Sequence, residues 1–433
     1  MTSKIESLKT LTGTLSQLQW YTPKAMRDIQ TGKLKSLVNH HVKNSEWFLE
    51  RIRVSGLQPK DISVDNITAL PLISRRDIQS AGDSFFAREI PKDHGKIGVV
   101  KTSGSTGEPV TIKATDAVAQ FFHAINYQEI LWHKRDFKSR LASIRAGHHE
   151  NRESPNWGAP YALMYETGPM LSINIWTDIK EQDRLLREFN PDILIVYPNN
   201  LKALLDIWEK DTPQFKLKHI KTVGETVSDS LRVRTKKLFG LDIEDAYSSQ
   251  EMGSIANKCP DSDLYHTIDQ NLIVEIIDDE GNPVAAGSVG RVVVTDLHNY
   301  ASPMIRYVIG DYAERGPECS CGRGLLTLKR VLGRERNLII QPDGRRYWPM
   351  VGMYNFDELD FIIRKYQVIQ HSREMIEYKI VTDNPITEEQ KEALIAIARK
   401  ALGDAFTYTV TRYEKEWALP PNGKFEEFVC KTV

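Results

Sequence analysis

Thr102-Ser-Gly-Ser-Thr-Gly-Glu-Pro109 is the stretch on which the reading of this chain turns. An apolar run with strand character, Ile97 to Val100, leads into it, and a second β-favouring run, Val110 to Lys113, leads out. Gly104 and Gly107 open backbone conformations closed to other residues. The hydroxyls of Ser103, Ser105 and Thr106, together with backbone N–H groups, can surround a phosphate. The stretch is not the P-loop that places Gly-x4-Gly-Lys-Ser/Thr ahead of a helix, and no such segment occurs in the chain. Taken alone, the octet would serve equally as the polar turn of a β-hairpin.

The surrounding chain is that of a globular protein. Its 433 residues are too many for one ordinary core and point to two domains. Apolar residues make up 41% and charged residues 27%, the balance of an ordinary folded chain and not of a disordered one. A net charge of −1 lacks the basic, clustered footprint of a nucleic-acid binder. The first ten residues carry no apolar signal core, and no run approaches the ~20 apolar residues that span a bilayer. The expectation is a cytoplasmic protein with no nucleic-acid or membrane partner.

Residues 1 to about 90 read as helical, with Leu34, Leu37, Val38 and Val42 near helical spacing and a helix start at Ser74. From 95 to about 330 short β-rich runs alternate with helical ones. Asp116 is placed as a helix cap, Pro191 to Tyr197 as a buried strand, and Asn199 or Asn200 as the cap of a helix reaching Trp208. Such alternation predicts an α/β fold with mostly parallel sheets flanked by helices. In that architecture ligands bind at the carboxyl ends of the strands, where Thr102, Gly224 and Tyr247 fall. The last hundred residues predict a small α+β domain whose clearest helix is Thr387 to Leu402, capped by Thr387.

With these segments in view, the octet resembles the phosphate loop of the adenylate-forming superfamily: acyl-CoA synthetases, peptide-synthetase adenylation domains and luciferases. Five further segments follow in that superfamily's order. Val223-Gly-Glu-Thr226 resembles the strand end that meets adenine, and Tyr247-Ser-Ser-Gln-Glu251 its aromatic-Gly-x-Thr-Glu segment. Thr295-Asp-Leu followed by Pro303-Met-Ile-Arg-Tyr-Val-Ile-Gly-Asp311 resembles the ribose-binding stretch, with Gly333-Arg334 at the hinge and Leu419-Pro-Pro-Asn-Gly-Lys424 as the loop of the catalytic lysine. The resemblance implies residues 1–335 as a nucleotide- and acyl-binding domain and 336–433 as a mobile domain carrying Lys424.

It also implies roles for individual residues. Thr102, Ser103, Gly104, Ser105, Thr106 and Gly107 would hold the ATP phosphates, and Gly224, Glu225, Thr226, Ser248, Ser249 and Gln250 would line the nucleotide. Tyr247 would stack on adenine, Asp311 would accept from the ribose hydroxyls and Arg334 would contact ribose or phosphate. Glu251 would hold Mg²⁺, since that ion favours one or two carboxylates plus phosphate oxygens. Lys424 would neutralise charge developing at the α-phosphate. Several positions depart from the common pattern: Val110 replaces a lysine, Gln250 a threonine and Ser248 a glycine, while Arg336 stands at the hinge. These departures resemble the branch of phenylacetate-CoA ligase and its capsule-biosynthesis relatives.

Four cysteines carry a second message. Cys259 and His266 form one short cluster, and Cys319-Ser-Cys321-Gly another. Three thiolates and one imidazole would satisfy a closed tetrahedral zinc site, the alternative being unliganded thiols and a surface histidine. The acyl pocket is expected in the segment holding His148, His149, Asn156, Trp157, Tyr161, Tyr165 and Glu166. Its aromatics suit an aryl acid, whereas Arg145, His148 and Arg152 suit a polar or anionic one.

The reading that follows is an ATP-dependent carboxylate ligase, monomer or homodimer, which forms an acyl-adenylate and passes the acyl group to coenzyme A. The alternatives are an amide-forming ligase with an amine acceptor and a non-catalytic nucleotide-binding module. A sensor would need neither Glu251 nor Lys424.

Overall fold

The computed structural model describes residues 2–101, 110–334, 338–347, 356–415 and 428–432. It separates into two compact units, one of residues 1–224 with 241–331 and one of 225–240 with 332–433. The first unit opens with three helices, α1 (Thr2–Leu18), α2 (Pro23–Asn44) and α3 (Glu46–Ser55), followed by the short α4 (Arg75–Ala81). Their starts are written in side chains. Thr22 accepts from Ala25 N with Pro23 at the first helical position, Ser45 accepts from Phe48 N, and Ser74 forms a reciprocal capping box with Asp77.

Next come β1 (Ile97–Lys101) and β2 (Thr111–Thr115), an antiparallel hairpin that brackets the 102–109 segment. Val110, at the exit of that segment, is fully buried, which is why an apolar residue suits that position. Helix α5 (Asp116–Trp132) follows, with Thr115 and not Asp116 at its N-cap. Asp116 instead occupies the first turn, where its charge complements the helix dipole.

The large sheet begins with β3 (Leu141–Arg145), β4 (Arg152–Ser154) and β5 (Met170–Asn174). The four-residue helix α6 (Tyr161–Met164) lies between the last two, and α7 (Ile179–Phe189) follows. Then come β6 (Ile193–Val196), α8 (Pro198–Trp208) and β7 (His219–Val223). Tyr197 stands at the N-cap of α8 and Pro198 at its first position, so Asn199 and Asn200 fall inside the first turn. Helix α9 (Asp229–Phe239) leads to β8 (Ile243–Ser249), β9 (Gly253–Lys258) and β10 (Tyr265–Thr267). The unit closes with β11 (Leu272–Ile277), β12 (Val289–Asp296), β13 (Tyr307–Arg315) and β14 (Thr327–Arg334).

Among the described residues these strands form one sheet in the order β11-β12-β13-β14-β10-β9-β8-β7-β6-β3-β5-β4. It is parallel through β5-β3-β6-β7-β8, where helices make the crossovers. The pairs β8–β9, β9–β10, β11–β12 and β12–β13, each joined without a crossover helix, are antiparallel.

Two buried ionic arrangements hold this unit. Arg306 is 2% exposed and adopts a left-handed backbone (φ 57°). Its guanidinium forks onto Glu275 at 3.1 and 3.0 Å and donates to the carbonyls of Thr68 and Leu70 at 2.8 and 2.7 Å. Its own carbonyl accepts from Ile73 N at 2.9 Å. One residue thus sets the start of β13 and seats the 68–73 segment beside it.

On the parallel side, Arg135 donates to Glu129 and Glu244, while Lys221 reaches Glu129 at 2.8 Å and His219 meets Glu244 at 2.6 Å. Burial opposes a charged Glu129, but Arg135 and Lys221 outweigh it and hold that carboxyl well below the usual carboxylate range.

In the second unit, β15 (Ile339–Ile340) and β16 (Arg346–Tyr347) form a small hairpin. A four-stranded sheet β19-β18-β17-β20 is built from β17 (Lys365–Gln370), β18 (Met375–Val381), β19 (Thr407–Tyr413) and β20 (Phe428–Cys430). Helix α10 (Glu388–Leu402) starts with Thr387 and Gln390 in a capping box and contributes Leu394, Ala398 and Leu402 to the core with Val368, Ile376 and Ile380.

Replacing Arg306 by Met would strand a buried Glu275 carboxylate, so R306M should lose about 3–5 kcal/mol. Equilibrium denaturation followed by circular dichroism reads the loss, and an unshifted midpoint would remove Arg306 from its anchoring role.

Candidate active site and cysteine cluster

The carboxyl ends of β7 and β8 carry the first group of expected site residues. Gly224 follows β7 with φ 79°, a left-handed turn that favours glycine. Beneath it, Thr222 Oγ1 donates to Asp245 Oδ1 at 2.9 Å and the Tyr265 hydroxyl donates to Asp245 Oδ2 at 2.7 Å. This buried carboxylate fixes the β7–β8 edge from below. Glu225 and Thr226 follow directly in the chain and belong to the second unit, with Thr226 exposed.

Tyr247 and Asp311 come together although 64 residues separate them in sequence, the tyrosine hydroxyl donating to Asp311 Oδ2 at 2.8 Å. Both are buried. The strand register shifts between Tyr247 and Ser248, which redirects the segment that follows. Ser249 Oγ accepts from Met252 N at 3.1 Å and closes the turn that carries Gln250 and Glu251. Glu251 is half-buried, whereas Ser248 and Gln250 are exposed.

The hairpin around residues 102–109 is tied to this region. Ser302 Oγ donates to Lys113 O at 2.8 Å and accepts from Lys113 N at 3.1 Å, joining β2 to the loop that leads into β13 and Asp311. Thr102, Ser103, Gly104, Ser105, Thr106, Gly107, Arg336 and Lys424 lie outside the described residues, as does the side chain of Arg334.

The cysteine cluster is assembled from three separate segments. The ligand atoms of Cys259, His266, Cys319 and Cys321 all lie within 4.8 Å of one another. Cys259 Sγ is 3.9 Å from Cys319 Sγ, and Cys321 Sγ is 3.2 Å from His266 Nε2. Ligands at ~2.3 Å from a tetrahedral ion stand roughly 3.8 Å apart, so the donors have the right number, type and spacing for one ion. Asp261 N points to Cys259 Sγ at 3.4 Å and Arg323 N to Cys321 Sγ at 3.5 Å, placing N–H groups where thiolate charge would sit. Burial, helped by the nearby Arg323 charge, holds His266 near 4 and therefore neutral, the form that ligates. Burial pushes the Cys259 thiol up to about 11 when no cation faces it.

This cluster is also the dock of the N-terminal helices. Arg323 lies between the rings of Trp20 and Trp132, 4.8 and 4.7 Å from their centroids, and pairs with Asp261 at 3.2 Å. Gly324 N donates to Gln19 O at 3.1 Å, and a Cβ on Gly324 would sit 1.9 Å from Tyr21 O.

Of the expected acyl-pocket residues, several do packing work. Trp157 Nε1 donates to Ser139 O at 3.0 Å, and Tyr165 stacks on Phe137 at 4.0 Å. Asn156 closes a turn onto Gly158 N at 2.9 Å, and the exposed Glu166 pairs with Lys138 at 3.2 Å. His149 and Arg152 are exposed. The residues that shape the site and had no sequence signal are Asp245, Lys221 and Glu129. Tyr265 meets Asp245 across 20 residues and Lys221 meets Glu129 across 92, beyond any local pattern.

No family model matches the chain. Over 343 residues it is 24% identical to the phenylacetate-coenzyme A ligase of Aromatoleum evansii, covering 76% of this chain and 74% of that protein. Its sequence is thus similar to those of phenylacetate-CoA ligases. The protein CapK of Staphylococcus aureus is 21% identical over 320 residues, 72% of this chain and 68% of CapK. In fold, the chain resembles 2-hydroxyisobutyryl-CoA ligase in the postadenylation state, with a TM-score of 0.75 and 15% identity over 94% of this chain and 89% of that one. The amide bond synthetase McbA from Marinactinospora thermotolerans matches with a TM-score of 0.53 and 17% identity over 75% of this chain and 67% of that one. The large mixed sheet with its helices and the smaller α+β unit match the fold of that CoA ligase. Among the described residues, no helix is long and apolar enough to cross a membrane.

Gly324→Ala should lower the thermal midpoint sharply, because its methyl group meets backbone and not a movable side chain. Differential scanning calorimetry decides it: a midpoint equal to that of the parent would mean that the 319–324 turn is not held against Tyr21.

Proposed function

We propose that this protein is an AMP-forming carboxylate ligase that activates an acid with ATP and transfers the acyl group to coenzyme A. One observation carries the reading. Tyr247 donates to Asp311, Glu251 follows on the turn after Tyr247, and Ser302 ties the hairpin that brackets 102–109 to the loop leading into Asp311. These groups would offer an adenine face, a ribose acceptor, a metal carboxylate and a phosphate-binding segment to one nucleotide.

In the first step a carboxylate oxygen attacks the α-phosphorus of ATP, and the bond to pyrophosphate breaks. Positioning and charge neutralisation supply most of the catalysis in such transfers. Glu251 would hold Mg²⁺ against the phosphates, and Thr102 to Gly107 would donate to their oxygens. Gly224, Glu225, Thr226, Ser248, Ser249, Gln250 and Arg334 would complete the nucleotide's surroundings. Lys424 would stabilise charge at the α-phosphate and the bridging oxygen. In the second step the thiol sulfur attacks the acyl carbon, AMP leaves and the thiol proton passes to solvent. Residues 336–433 are assigned as the domain that brings Lys424 to the first step. Four relatives named phenylacetate-coenzyme A ligase favour CoA as acceptor over an amine.

We assign Cys259, His266, Cys319 and Cys321 to a structural zinc site. With four protein ligands it leaves no open position, so its contribution is to stability and not to bond-making.

Lys424→Ala should cut pyrophosphate formation by a hundredfold or more while ATP binding persists, because its cation is needed in the transition state. Asp311→Ala should instead weaken ATP binding itself, about tenfold, from the loss of charge-assisted bonds. Isothermal titration and pyrophosphate release separate the two, and normal adenylation by the lysine variant would refute its role.

Purified protein should hold about one zinc per chain by elemental analysis, and Cys319→Ser should lose metal and melt earlier. Metal-free protein with an unchanged melting temperature would end the zinc assignment.

A further inference from the structure

The acid activated by this site must lie along the carboxyl edge of the parallel strands, and one end of that edge carries a cation that packing does not explain. Arg145 is the last residue of β3, paired in register with Asn174 of β5. Leu141 through Ile144 are buried, and Arg145 alone in the strand is exposed. Among the described residues its guanidinium has no carboxylate or hydrogen-bond partner.

Strand register fixes where it points. Ser143, Ile195 and Lys221 share one row across β3, β6 and β7. Two residues further along, Arg145 and Val223 therefore face the same side, the side on which α5 and Tyr161 pack. Two strand spacings separate them, roughly 10 Å. Gly224, where the nucleotide is placed, follows Val223 directly.

The neighbours of Arg145 are donors as well. His148 folds back over the strand, its N–H donating to Arg145 O at 3.2 Å and its Nε2 meeting Ser143 Oγ at 3.0 Å. The Tyr161 hydroxyl, on the same side, has no hydrogen-bond partner among the described residues. Lys221 lies one row deeper and is already satisfied by Glu129 at 2.8 Å. The carboxylates of this side, Glu129 and Glu244, are committed to Arg135, Lys221 and His219, and none of them turns toward Arg145.

An edge that offers a guanidinium, an imidazole and a phenol, with its acids engaged one row below, is matched to an anion and not to a hydrocarbon ring. We infer that Arg145, with His148 and Tyr161, binds a second anionic group at the far end of the carboxylic acid substrate, so that the preferred substrates are dicarboxylic acids. This rests on the acid-activation reading above. Arg145 is a specificity residue: it would hold the remote carboxylate while the other carboxylate meets ATP.

The test pairs acids that differ by one carboxylate, phenylacetate with 4-carboxyphenylacetate and butyrate with succinate. Pyrophosphate release gives kcat/KM for each. The diacid should be favoured in at least one pair by about tenfold or more, the worth of one charge-assisted contact. Arg145→Ala should reduce that diacid-to-monoacid ratio by 10- to 100-fold, mainly through KM, and Arg145→Glu should reduce it further. Arg145→Lys should restore part of it. A ratio unchanged by Arg145→Ala overturns the inference while leaving the ligase reading intact. So does an effect confined to the KM for coenzyme A, which would place the acceptor's phosphates at Arg145. If none of the four acids, nor a wider carboxylate panel, releases pyrophosphate, the ligase reading falls and this inference falls with it.

Discussion

The fork between Arg306 and Glu275 is the constraint on which the start of β13 and the placement of Asp311 depend. A left-handed backbone at a non-glycine residue is unfavourable by ~1–2 kcal/mol, and burying a guanidinium is costlier still. Both are offset because this one side chain satisfies Glu275 and two carbonyls of the 68–70 turn. The consequence is positional. β13 starts where Arg306 is pinned, and Asp311 follows five residues later on the same rigid strand, in reach of Tyr247.

A second buried network performs the matching task in the parallel half of the sheet. Glu129 comes from α5, Arg135 from the turn after it, Lys221 from β7 and Glu244 from β8. Removing any one charge leaves its partner buried without compensation, so the four residues act as a unit. Their arrangement also keeps the negative charge of this side away from the carboxyl edge. That separation leaves Arg145 without a carboxylate partner among the described residues.

The cysteine cluster adds a third fastening. Its knuckle is pressed onto the α1–α2 turn through Arg323 and Gly324. His266 sits on β10, and Cys259 directly follows β9. The N-terminal helices are thus joined to the antiparallel half of the sheet at the cluster, while Arg306 joins the 68–73 segment to the strands at its far edge.

Much of this was legible in the chain. Helix starts at Ser74 and Thr387 follow from side chains that cap locally, so neighbours in sequence suffice to find them. Gly224 and Ser249 belong to turns whose chemistry is equally local. The cysteines could be grouped because few residue types ligate metal and only four cysteines occur. Where local rules misplaced a detail, a nearby competitor took the position: Thr115 caps α5 in place of Asp116, and Tyr197 and Pro198 open α8 ahead of the asparagines. What sequence alone determined, then, was element type, the order of the motifs and the chemistry available at the carboxyl edge, because those depend on residues close in the chain. Tertiary structure alone decided that Tyr247 bonds Asp311, that Glu129 neutralises Lys221 and that Arg145 has no partner among the described residues. Each of these depends on which strands become neighbours, and strand order is set by burial across the whole sheet and not by any segment of it.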